Sequence, residues 1–154
     1  MFSSFGRMIW SDGLVYFEAA EQPLRRLEQS LGATVLVYGS VARHGCGNDL
    51  DIIILGTEEM WQEFKSGVLQ KMSPSWCGAL TRHDVVQEMF EEAFGALEDA
   101  GIMMVDVYIF PSDWTKRLDE LQAAFPHEDP LFMQNIAADV KTLDQCAIQS
   151  ARMS

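Results

Sequence analysis

The chain has 154 residues, 48% apolar and 22% charged, with a formal net charge of −12. That length suits one domain with a real core, and the composition is ordinary for a soluble globular protein. No apolar stretch approaches the ~18 residues of a membrane helix. The acid excess also argues against long nucleic acid, whose binders gain affinity from clusters of Lys and Arg; Arg25-Arg26 and Lys116-Arg117 are the basic pairs here.

The elements are read in chain order. Residues 1 to 13 are weakly patterned, and Met1 to Trp10 lacks the charged-then-apolar pattern of a secretory signal. Pro23 to Leu31 has apolar residues at helical spacing, with Pro in the first turn and Gly32 as a stop. Val35 to Tyr38 and Leu50 to Leu55 are short apolar runs rich in strand formers, so each predicts a buried strand. Thr57 to Met72 predicts a helix with an acidic first turn, broken by Ser73-Pro74-Ser75. A longer helix is expected from Arg82 or His83 to Ala100, with Gly101 ending it. Ile102 to Phe110 predicts a third strand, Pro111-Ser112-Asp113 the opening of a helix to about Phe125, and Pro130 to Ala147 a partly helical tail.

The expected architecture is therefore α/β (α+β), a small mixed β-sheet flanked by helices. We read residues 1–154 as a single domain, with a core over about 20–125 and a helical tail over about 126–154. The cysteines are Cys46, Cys77 and Cys146. An odd number without pairing motifs predicts reduced thiols and a cytoplasmic protein. The spacings of His44, Cys46, Cys77 and His83 match no common zinc pattern.

The chemistry concentrates in two stretches. An apolar run ends in Gly39-Ser40, and a second run begins with Asp49 and Asp51. Carboxylates at i and i+2 on a strand share a face. A Gly-Ser turn at a strand end can offer backbone N–H groups to a phosphate. Asp106 is the one charge in Met103 to Phe110, and a carboxylate in such a strand is costly unless paired or on a metal. If strands 50–55 and 102–110 are neighbours, Asp106 converges on Asp49 and Asp51. Three carboxylates together repel unless cations lie between them, and Mg²⁺ commonly binds through carboxylates plus substrate phosphates. Two such ions can serve an in-line displacement at phosphorus.

The block Tyr38-Gly39-Ser40-Val41-Ala42-Arg43, followed by Asn48-Asp49-Leu50-Asp51-Ile52-Ile53 and later Val105-Asp106-Val107, resembles the signature of the DNA polymerase beta nucleotidyltransferase superfamily. The chain is most similar to its minimal nucleotidyltransferases. The resemblance covers residues 33 to 56 and 102 to 110. It implies a nucleotidyltransferase fold, an NTP donor, with ATP the expected one, and release of pyrophosphate. It implies that Asp49, Asp51 and Asp106 hold two Mg²⁺ ions and carry catalysis, and that Gly39, Ser40 and Arg43 bind the nucleotide. Some minimal members are antitoxins that adenylylate a helical toxin of the HEPN type. Two departures stand out. Eight residues separate Ser40 from Asp49, at the short end for the family, and His44 stands where many members have Gly.

Three functions follow as expectations. The first is Mg²⁺-dependent transfer of AMP from ATP to a hydroxyl of a protein or small molecule. The second is an antitoxin-like interaction protein that keeps the fold without turnover. The third is an acidic decoy for a nucleic-acid-binding protein. A separate acceptor-binding domain is not apparent, so a protein partner or a second copy in a homo-oligomer is expected to complete the acceptor site.

Overall fold

A computed structural model describes residues 14–71, 95–102 and 105–153. The elements in chain order are β1 (Val15–Tyr16), α1 (Phe17–Leu31), β2 (Thr34–Tyr38), α2 (Gly39–His44), β3 (Cys46–Gly47), β4 (Leu50–Gly56), α3 (Glu58–Lys71), β5 (Val105–Pro111), a 3-10 turn (Trp114–Lys116), α4 (Leu118–Ala124), α5 (Phe132–Asp139), β6 (Lys141–Thr142) and α6 (Leu143–Met153). Residues 95–99 are helical as well.

The two apolar runs pair antiparallel, with Val37 opposite Ile52 and Tyr38 opposite Asp51. The run carrying Asp106 joins β4 in parallel, and β6 closes the other side of β2, giving the mixed order β5-β4-β2-β6. A parallel neighbour needs a long crossover, and residues 57 to 104 supply it. Val35, Val37, Ile52, Ile54, Val107 and Ile109 alternate onto one face of this sheet and are all buried. The opposite face carries Ile53, Tyr108 and Phe110, and there the aromatic rings pack. Tyr108 lies 5.7 Å from Phe64 of α3 and 5.2 Å from Phe125, and Phe110 lies 6.3 Å from Trp61. Burial on both faces explains why both runs read as continuously apolar. It is worth about 1.5–3 kcal/mol for each large side chain.

The sequence expectations hold for the middle of each strand and fail at several ends. α1 starts at Phe17, so Pro23 lies inside the helix and not in its first turn. Phe17, Ala20, Leu24 and Leu27 form the buried stripe that draws the helix upstream. Gly32 stops it as expected, at φ 62°. Thr57 accepts a hydrogen bond from Met60 N at 3.1 Å on its Oγ1 and so starts α3. The third strand is described from Val105; Ile102 stands outside it, its N–H turned back to the carbonyl of Leu97 at 2.9 Å over Gly101 at φ 86°, and residues 103 and 104 lie outside the described residues. Pro111 ends β5 and opens no helix. The chain makes a 3-10 turn that buries Trp114 against Phe110 at 5.8 Å, and α4 starts only at Leu118. The break at Ser73 to Ser75, most of the helix expected from residue 82 or 83, Cys77 and His83 lie outside the described residues.

The C-terminal segment is more than a helical tail. Lys141 and Thr142 pair with Val37 and Leu36. α6 packs against α1, and Arg25 meets Asp144 at 3.0 Å across that contact. The N–H of Val35, just beyond the reach of β6, donates to Glu28 Oε2 at 2.9 Å. Among the described residues, no helix is long and apolar enough to cross a membrane.

Candidate active site

Asp49 closes the loop before β4, Asp51 is the second residue of β4, and Asp106 is the second residue of β5. The parallel register sets Asp51 directly beside Asp106. Neighbouring strands run about 4.8 Å apart, and the i, i+2 spacing brings Asp49 to the same side. One carboxylate oxygen from each lies within 4.8 Å of the other two. The convergence expected from sequence is therefore present. Among the described residues it is the one group of this kind.

Burial is the main cause that pushes the Asp51 carboxyl up to about 8. A hydrogen bond with Asp106 and the charges of Asp49 and Asp106 add to it, and Arg43 eases it. Asp49 is raised as well, by burial first and then by the charge and hydrogen bond of Asp106. Carboxylates close enough to hydrogen-bond must share protons or a cation. The donors are hard oxygens only, half-buried, on two neighbouring strands and the loop that leads into one of them. That set fits Mg²⁺ and does not suit a soft metal.

Gly39 brings the backbone of the turn against this group. Its φ is 76°, and a Cβ there would lie 2.5 Å from Asp51 Oδ2. Only glycine permits both the backbone conformation and the approach. A Cβ at Gly47 would likewise lie 2.6 Å from Ser40 Cβ, so Gly47 lets the loop close over Ser40. The stretch expected as a simple turn and loop is instead the short helix α2, ended by Gly45 at φ 81° with its N–H on Val41 O at 2.8 Å. Arg43 is near Ser40: its Nη2 donates to Ser40 Oγ at 3.3 Å. Its Nη1, however, donates to Asp139 Oδ2 at 2.5 Å. His44 is an exposed helix end, and Asp113 starts the 3-10 turn and pairs with Arg117 at 3.2 Å.

Several neighbours escaped the sequence reading. Tyr38, opposite Asp51, and Tyr108, beside Ile53, lie on the aspartate face with their rings 6.4 Å apart. Burial and then the charge of Asp51 hold the Tyr38 phenol well above its usual range. The Tyr108 hydroxyl donates to Glu128, and burial and that bond raise its pKa. The period of two places Tyr108 on the face of Asp106 and could have revealed it. Asp139, Lys141 and Glu128 carry no local signal, because only the tertiary fold brings them here. Trp61 and Trp114 are core residues.

Comparison with protein-family models, with curated proteins and with solved structures returns no match to this chain.

Proposed function

We propose that the protein is a Mg²⁺-dependent nucleotidyltransferase that moves AMP from ATP onto a hydroxyl of a protein or small-molecule acceptor. The observation that carries this reading is the direct pairing of Asp51 with Asp106 on parallel strands, with Asp49 joining them and the Gly39-Ser40 turn pressed against Asp51. The likeness of the same residues to the minimal nucleotidyltransferase signature adds to it.

Asp49, Asp51 and Asp106 would hold the metal. When bound, Mg²⁺ would offset phosphate charge and favour departure of pyrophosphate. Ser40 Oγ and the guanidinium of Arg43 would orient the phosphates. The Asp106 carboxylate would take the proton of the acceptor hydroxyl as its oxygen bonds to the α-phosphorus and the bond to the pyrophosphate oxygen breaks. The packed rings of Tyr108, Phe64 and Phe125 would keep water from the inner wall.

The test is calorimetric titration of ATP with Mg²⁺ into wild type and Asp49→Ala/Asp51→Ala. Heat from wild type and none from the double variant is expected; equal heats would remove the reading. Labelled ATP then checks transfer. Binding without label on any protein would favour the antitoxin-like interaction protein.

A further inference from the structure

Arg43 is the positive group whose charge reaches Asp51, yet its strongest contact is to another acid. Its guanidinium spans two partners, Ser40 Oγ at 3.3 Å through Nη2 and Asp139 Oδ2 at 2.5 Å through Nη1. A phosphate gripped beside Ser40 would use the same two nitrogens, because guanidinium binds phosphate through paired N–H groups. The Arg43 side chain is 44% exposed and open to a ligand, whereas that of Asp139 is 23% exposed.

Asp139 ends α5, whose last turn holds no basic residue. A negative charge is unfavourable at a helix C-terminus, so the helix itself gives no reason for a carboxylate there. The chain after Asp139 is fastened to α2 by bonds that do not involve the Arg43 side chain. Lys141 Nζ donates to Ala42 O at 2.5 Å, and Gln149 Nε2 donates to Arg43 O at 3.2 Å. The segment that carries Asp139 is thus held beside α2 by bonds other than the Arg43 guanidinium.

We propose that Asp139 is an internal competitor for substrate phosphate, holding the Arg43 guanidinium until a more highly charged anion displaces it. This inference rests on the nucleotide reading of the site and adds a restraint on its affinity. A triphosphate outcompetes the carboxylate by charge and by engaging both nitrogens. A monophosphate or a free carboxylate ligand gains less, so the pair also favours triphosphates.

The experiment titrates two probes, inorganic tripolyphosphate and ATP with Mg²⁺, into wild type, Asp139→Asn, Arg43→Gln and the double variant. Removing a partly exposed ion-pair partner corresponds to about five-fold in affinity. Asp139→Asn is expected to bind both probes about five-fold more tightly than wild type, and Arg43→Gln to abolish that gain. Equal or weaker binding by Asp139→Asn, with ATP still bound by wild type, overturns the competitor and leaves the nucleotide reading standing. A gain with tripolyphosphate but no binding of ATP with Mg²⁺ keeps the competitor and removes the nucleotidyltransferase. Binding of neither probe by any variant overturns both.

Discussion

Asp51 lies between Tyr38 on β2 and Asp106 on β5, and burial above all pushes its carboxyl up to about 8. A folded-state pKa raised above an unfolded value of about 4 means that the folded chain binds the extra proton. The associated stability is fully present below about pH 4 and is lost as pH rises through about 8. Denaturant unfolding of metal-free wild type and Asp51→Asn at pH 5, 7 and 9 should therefore show wild type falling behind as pH rises. A constant difference across that range would contradict the raised carboxyl. Gly39 invites a second substitution. Gly39→Ala forces a left-handed residue, at about 1–2 kcal/mol, and sets a methyl against Asp51 Oδ2. It should lower the melting temperature and also weaken divalent-metal binding by the folded protein. Unchanged metal affinity would mean that the turn has no part in holding Asp51.

At the scale of elements, most of what could be read beforehand had a local cause. Thr57 before Glu58 and Glu59 announces a helix start, and the hydroxyl does cap α3. Thr57→Ala should cost about 1 kcal/mol in thermal or denaturant unfolding and leave metal binding untouched. Gly32 and Gly101 mark real stops, both at positive φ. The strands were legible because they are buried on both faces. Other elements were hidden for physical reasons. α2 has only six residues and follows a strand without a side-chain cap, so its sequence reads as a turn. β6 is a Lys-Thr pair whose only claim to be a strand is its pairing with β2. Pro23 misled because proline favours a first turn, while buried Phe17 and Ala20 extend α1 past it.

For the whole molecule, the site depends on segments far apart in sequence. Asp106 reaches Asp51 through the crossover to β5, and Asp139 reaches Arg43 from the far end of the chain. The three aspartates were legible because Asp49 and Asp51 open one apolar run at i, i+2 spacing and Asp106 interrupts another, whereas the contacts of the C-terminal segment were not, because nothing local encodes them. That segment also completes the core: Met133, Ile136, Leu143 and Cys146 are buried. Each large one contributes about 2–5 kcal/mol against a total stability of about 5–15 kcal/mol. A chain cut after Phe125 should therefore lose its cooperative unfolding transition, and a sharp transition in the truncated protein would show the segment to be dispensable. The central claim is that carboxylates from two strands form one divalent-metal site. Its most direct test is Mn²⁺ binding to wild type and Asp106→Asn, followed by electron paramagnetic resonance of the free ion. The account predicts binding by wild type and a loss of at least about ten-fold in affinity in the variant, which is about 1.4 kcal/mol. Equal Mn²⁺ affinity in the two proteins would contradict it.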